Sequence, residues 1–233
     1  FRTTVFEASA AYDVMLDQQQ IIERLHLTPA QVPLDFTTQE VYLRPAEDMF
    51  DDLDVRTRFI ADAKAQGIPI QYKDINAADY YIDRWGTRWY ITVRNTNPTW
   101  AAQLANLWVT AVDSALRQAQ AHTAQAQFLQ LQSNAVQKCF SEMDFIQANR
   151  CAGTTFATPE ELDTYLNKIQ QQIVSEQQAG RDIDPALSFT LIHPAEPPAY
   201  PILYNISLML LAGSLIGLLA GLLAVQRIPA IKS

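Results

Sequence analysis

Asn97-Pro98-Thr99-Trp100-Ala101-Ala102-Gln103-Leu104-Ala105-Asn106 opens the stretch that decides the fold. Asn at a helix N-cap accepts a bond from a first-turn amide, and Pro at the next position loses nothing by lacking its own N–H. Neither Gly nor Pro interrupts the chain from Thr99 to Ala152. The pattern predicts a helix from Pro98 to about Gln137, roughly 60 Å long. That exceeds the thickness of a body of about 200 residues, so part of the helix must project. Its second half is rich in Ala and Gln. Apolar positions thin there to Ala121, Ala124, Phe128, Leu131 and Ala135. A narrow stripe of this kind suits a seam between two helices better than a thick core.

A partner helix follows. Thr158-Pro159-Glu160-Glu161 has the form of a capping box, with Thr at N-cap, Pro at N1 and Glu at N3. Leu162, Tyr165, Leu166, Ile169, Ile173 and Val174 make an apolar stripe, and Gly180 is read as its stop. Two antiparallel helices over about 98–180 are therefore expected, joined at the far end by residues 138–157. Cys139 and Cys151, the two cysteines of the chain, lie in that tip. A disulfide between them would close a short loop and contribute about 3 kcal/mol in the chain-entropy model. It would suit an oxidising compartment outside the cytoplasm. Two free buried thiols are the alternative.

Toward the N-terminus, residues 3–14 are rich in β-formers and predict a strand. A short helix is expected around Gln18–Leu25, then a loop punctuated by Pro29 and Pro33. Residues 45–66 read as one helix, with Met49, Phe50, Leu53, Ile60 and Ala63 at helical spacing and Gly67 as its stop. Ala78–Trp85 and Arg88–Arg94 alternate around Gly86-Thr87, a β-hairpin signal. Trp89, Ile91 and Val93 would share one face of the returning strand. Beyond Gly180, Ala186–His193 alternates as a strand. Pro194, Pro197, Pro198 and Pro201 then stiffen an extended segment.

The C-terminal end differs in composition. Ile202 to Val225 carries no charged residue, and at about 1.5 Å per residue it is long enough to span a bilayer. Arg227 and Lys232 follow it, which by the positive-inside rule puts the C-terminus in the cytoplasm and the body outside. Gly213, Gly217 and Gly221 fall on one face of this span, where small residues permit close helix–helix packing. The mean hydropathy of −0.07 is thus an average over two unlike parts.

Charge and motifs exclude several functions. All 25 acidic residues precede residue 200, against 15 of the 17 basic ones. So acidic a body, with no basic run, is a poor nucleic-acid binder. There is no Gly-rich phosphate loop, no HExxH and no GxSxG, and His26, His122 and His193 lie far apart. Asp51, Asp52 and Asp54 read as a solvated helix face. No catalytic residue, metal site or cofactor is expected.

In the order of these elements the chain resembles the polysaccharide co-polymerases, the Wzz-like chain-length determinants. Three stretches carry the likeness. Phe6-Glu7-Ala8-Ser9-Ala10 looks like the family's first strand. Asn97 to Asn106 is similar to its DPxxAAxxAN helix start. Ala195, Pro198 and Pro201 fit its A-x-x-P-x-x-P approach to the membrane. The resemblance implies a non-enzymatic protein with two membrane helices, the first placed by the family just before Phe1. It also implies ring-like homo-oligomers that govern the length of a surface polysaccharide made by a polymerase.

The expected fold is therefore α+β. It comprises a small β-sheet with packed helices, a long projecting antiparallel helical hairpin and a C-terminal transmembrane helix. Residues 1–200 would form the extracytoplasmic domain, 201–226 the membrane helix and 227–233 a cytoplasmic tail. The partners expected are further copies of the chain, through the ectodomain and the membrane helix, then the lipid bilayer and a polysaccharide polymerase. Nucleic acid is not among them. The competing reading is an accessory, scaffolding subunit of another membrane complex, for instance a bioenergetic one. A third is an ectodomain enzyme or receptor with a polar cleft.

Overall fold

The Gly86-Thr87 turn, with Gly86 at a φ of 64°, joins β2 (Tyr80–Trp85) to β3 (Arg88–Asn95). A positive φ there costs glycine nothing and would strain any side chain. The structure, a computed structural model, describes residues 4–25, 36–142, 150–151, 154–156, 158–202 and Ser214. β3 pairs on its other side with β1 (Phe6–Leu16), in a register that sets Ala10 against Ile91. β6 (Leu187–His193) completes an antiparallel sheet of order β2-β3-β1-β6. The register between β1 and β6 shifts between Ala11 and Tyr12.

One face of this sheet is dry. Ala8, Ala10, Tyr12 and Val14 from β1 lie beside Trp89, Ile91 and Val93 from β3, all buried. As the alternation predicts, the last three share that face. Leu187 and Phe189 extend it on β6, and the Tyr12 and Phe189 rings stack with centroids 6.5 Å apart. The N-terminal half of α4 (Pro98–Glu142) lies across this face through Ala101, Leu104, Ala105, Trp108 and Val112. The small side chains of Ala8, Ala10 and Ala101 let helix and sheet approach closely. Trp108 stands edge-on to Phe50 at 5.7 Å and donates from Nε1 to the Phe50 carbonyl.

Asn97 caps α4 as expected, its Oδ1 accepting from the Thr99 and Trp100 amides at 2.9 and 3.2 Å. The helix runs past Gln137 to Glu142, about 66 Å in all. α5 (Pro159–Gly180) returns antiparallel to it, with the Thr158 side chain accepting from the Glu161 amide. Between them, β4 (Arg150–Cys151) and β5 (Thr154–Thr155) form a minimal ribbon at the tip. Phe156 is buried there against Phe140 and Tyr165, with centroids 5.7 and 5.1 Å away.

The structure differs from expectation in four places. The helix expected over 45–66 is two helices, α2 (Phe36–Asp48) and α3 (Leu53–Ala65), separated by a 3-10 turn at Met49–Asp51. Asp52 is extended, and its side chain accepts from the Asp54 and Val55 amides, so a new helix starts there. α1 (Gln18–Leu25) matches its prediction.

The second difference is the seam of the hairpin. Ala126, Leu129, Ser133 and Val136 of α4 are the residues buried along it, facing Ile169 and Ile173 of α5. The expected stripe of Ala121, Ala124, Phe128, Leu131 and Ala135 is exposed along its whole length. Both rows satisfy a helical apolar pattern, and only packing against α5 chooses between them. The third is the cap beyond Gly180: α5 stops at Gly180 as expected, but the non-glycine Arg181 takes the left-handed conformation, at a φ of 48°.

The fourth concerns the C-terminal transmembrane helix. Among the described residues no helix is long and apolar enough to cross a membrane, so the described fold is α+β and a C-terminal transmembrane helix is not supported. Of the expected span 202–225, all but Ile202 and Ser214 lies outside the described residues, as do Gly213, Gly217 and Gly221. The same holds for the Pro29 and Pro33 loop, His26 and the tail over 227–233.

Candidate functional site at the two ends of the hairpin helix

α4 joins two polar junctions. At its N-terminal end, Asn106 faces the proline-rich segment after β6. Its Nδ2 donates to the Ala195 carbonyl at 2.9 Å, and its Oδ1 accepts from the Ala195 amide at 2.7 Å. A primary amide presents a donor and an acceptor side by side, the complement of one residue's own N–H and C=O. Ala195 itself is buried. The segment then runs to Ile202, whose amide donates to the Val5 carbonyl at 2.8 Å, just ahead of β1. The beginning and end of the described body therefore meet. Pro198 and Pro201 lie on this return path, free of any need to donate to a sheet.

The second junction lies where α4 leaves the sheet and α5 arrives. Gly180 sits against Thr123, where an added Cβ would stand 2.3 Å from Thr123 Oγ1 and 3.1 Å from its backbone nitrogen. Two helices can cross this closely only without a side chain. One turn further out, His122 Nδ1 and Glu176 Oε2 are 2.6 Å apart. Arg181, turned by its left-handed backbone, pairs with Asp52 and with Asp54, the latter at 2.7 Å. Asp52 thus caps α3 and anchors the end of α5 at once. Burial raises its carboxyl pKa, but the bonds from Arg181 and the Val55 and Asp54 amides outweigh that and hold it below the usual carboxylate range.

These groups border a cleft of about 260 Å³ lined by Asp52, Asp54, Arg58, Gln118, His122 and Arg181. Its charged members are engaged with one another, and Arg58 donates to Ser114 at 2.8 Å. Its ions therefore hold one another in place at the base of the hairpin. Nearby, Gln120 donates to the carbonyls of Pro185 and Leu187, and Arg24 grips Asp184 with two bonds at 3.1 and 2.6 Å. The return from α5 into β6 is therefore held from both sides.

The outer face of the sheet carries a third polar group. Tyr81 donates to Glu7 Oε2 at 2.7 Å, and Arg94 binds the same carboxylate at 2.8 Å while its guanidinium lies 4.9 Å from the centre of the Tyr81 ring. Burial and the bond to Glu7 push the Tyr81 hydroxyl up to about 12. This triad ties β1, β2 and β3 together.

Among the described residues, no group of three or more His, Cys, Asp or Glu could hold a metal ion. Cys139 is disulfide-bonded, and no cysteine is free among the described residues. The side chain of Cys151 lies outside them. Of the acidic run read from the sequence as a solvated face, Asp51 and Asp54 are solvated, with side chains 77% and 81% exposed, and pair with Arg56 and Arg181, whereas Asp52 is turned in as the cap of α3. The legible signal was an Asp positioned to cap Leu53–Ala65. Its partner Arg181, 129 positions away, had none.

No protein-family model matches the chain, and no curated protein matches it.

Proposed function

We propose that the chain is a non-enzymatic polysaccharide co-polymerase, a self-assembling regulator of surface-polysaccharide length or export that works outside the cytoplasm beside a polymerase. The pairing of Asn106 with Ala195 carries the reading. It joins the two stretches that most resemble the family, the helix start at Asn97–Asn106 and the segment of Ala195, Pro198 and Pro201. Three further features support it. The ends of the body meet at Val5 and Ile202, while the 45-residue α4 extends from that region to a distant tip. The paired charges at the hairpin base favour a rigid spacer over a reacting site. The disulfide at Cys139 suits an oxidising compartment.

The test is removal of the chain from its host, with the surface polysaccharide resolved by length. Loss of the preferred length with unchanged sugar composition is expected. An unchanged length distribution overturns the reading. So does recovery of the chain at one copy within a complex of unrelated subunits, which would establish the scaffolding alternative.

A further inference from the structure

The two edges of the sheet are finished differently. On β6, Ala186 accepts from the Asp17 amide, so alternation turns the backbone groups of Leu187 and Phe189 away from β1. Gln120 and Arg117 donate to those two carbonyls, and α4 thereby closes that edge. On β2 the Arg94 amide donates to the Asp79 carbonyl at 2.8 Å, which sets the phase of the ladder. Tyr81, Asp83 and Trp85 exchange bonds with β3, while Tyr80, Ile82 and Arg84 turn their backbone groups outward. The Tyr80 amide is taken by the Asn76 carbonyl at 2.9 Å. Among the described residues nothing bonds the N–H or C=O of Ile82 or Arg84, and both residues are partly exposed. An edge left in this state is a template for another strand. Neither Pro, Lys nor a bulge guards it. Arg84 turns its charge inward, but Glu40 and Glu47 neutralise it at 2.7 and 2.6 Å.

A hollow of about 310 Å³ lies beside this edge. Ile75, Ile82 and Trp108 give it an apolar wall, and Glu47, Asp48 and Asp51 an acidic rim. Tyr80 also lines it; that residue is only 8% exposed, and its hydroxyl has no hydrogen-bond partner among the described residues. Arg84 answers Glu47 and Arg56 answers Asp51, but Asp48 is exposed and makes no ion pair among the described residues. An apolar wall under an acidic rim fits a lysine or arginine, whose methylene stem buries while its cationic head stays at the water. A residue set opposite Ile82 by an added strand shares the face of Ile82, and so reaches this hollow. Main-chain bonds with a pocket for alternate side chains are the two requirements of strand addition. The charge selects the occupant. The chain carries a net −8, so a second copy is repelled from an acidic rim and a basic segment is attracted.

We infer that the outer edge of β2 receives an extended, basic segment of a different protein as an added antiparallel strand. Ile82 and Arg84 supply two donors and two acceptors to it, and a lysine or arginine of the segment seats in the hollow beside Ile82. In such a strand the residues whose side chains face the hollow also turn their amides to β2, whereas the residues between them turn theirs away.

The experiment titrates the full chain with a capped, fluorescent peptide of sequence TVKVTV and reads binding by anisotropy. N-methylation of the lysine and of the threonine after it removes the amides that face β2, and should weaken binding at least about tenfold. N-methylation of the two valines that flank the lysine should change it less than about twofold. Glutamate in place of the lysine should weaken binding at least about fivefold, and Asp48→Lys in the protein by roughly two- to fivefold. Saturating peptide should slow hydrogen exchange of the Ile82 and Arg84 amides, followed by NMR, at least about tenfold. The peptide comparisons need no protein variant, so they hold even if Asp48→Lys perturbs the fold. No binding up to about 1 mM peptide, or an equal loss with both methylation patterns, overturns strand addition. A glutamate peptide that binds as tightly, or an Asp48→Lys chain that binds as well, overturns the basic occupant. Ile82 and Arg84 amides that already exchange slowly in the free chain mean that a second copy or another part of the chain holds the edge, which overturns the inference too.

Discussion

Asn106 and Ala195, 89 residues apart, are joined by two hydrogen bonds of 2.9 and 2.7 Å that use both heteroatoms of one side-chain amide. The pair fastens the first third of α4 to the segment that leaves β6. Without it the extended stretch from Pro194 to Ile202 would meet the helix with unsatisfied backbone groups.

Asn106→Ala should therefore destabilise the body by about 1–3 kcal/mol, the cost of leaving a buried donor and acceptor unpaired. Asn106→Asp should be as harmful at neutral pH, because a carboxylate would face the Ala195 carbonyl. Urea unfolding followed by tryptophan fluorescence measures both. An effect below about 0.5 kcal/mol would show that water replaces the amide.

Gly180→Ala places a methyl group 2.3 Å from Thr123 Oγ1 and within 3.3 Å of the Thr123 backbone. Overpacking of this kind costs roughly 1–3 kcal/mol. Adding Thr123→Ala should recover part of the loss by removing the hydroxyl, and leave the part owed to the backbone. A double-mutant cycle on thermal or urea midpoints resolves the two. Full additivity would mean that the two residues do not touch.

Asp52 predicts an acid limb in stability. Its folded-state pKa lies below the ordinary carboxylate value, so its contribution is present above about pH 4 and is lost as pH falls through the folded value. Asp52→Asn keeps a side chain able to cap α3 but removes the charge facing Arg181. Its unfolding midpoint should change less than that of the wild type between about pH 4 and pH 2. Identical slopes for the two proteins would mean that Arg181 adds nothing measurable.

Tyr81 works in the opposite sense. Its hydroxyl pKa is raised to about 12, so the bond to Glu7 stabilises the fold fully below about pH 10 and is lost as pH rises through the raised value. Glu7→Gln should lower that pKa. Ultraviolet titration, with Tyr81→Phe to assign the signal, reads the shift directly. A Tyr81 that ionises with the exposed tyrosines would disprove the triad.

Much of this fold follows from local chemistry. Asn97-Pro98 and Thr158-Pro159 announce their helices because the caps are made within four residues. The turn at Gly86 and the alternation at Trp89, Ile91 and Val93 mark the hairpin and its buried face for the same reason. Asp52 shows where local reading fails. As one of three acids on an apparent helix it looks solvated, and only the distant Arg181 reveals that it closes a junction.

Two features of α4 lie beyond any one-dimensional reading. Residues 119–136 offer two apolar rows to a partner, and the sequence pattern of α4 satisfies both. Residues at helical spacing establish that a face is apolar, but not what covers it. Gly180 likewise reads as a helix stop, although its reason is the backbone of Thr123 in another helix. The sequence by itself determined the strands of the sheet, the N-caps of α4 and α5 and the approximate length of the hairpin, because those rest on contacts between near neighbours. The tertiary structure alone decided which row α5 covers, which row stays open, and that Asn106 meets Ala195, because those depend on groups brought together only when the chain closes on itself.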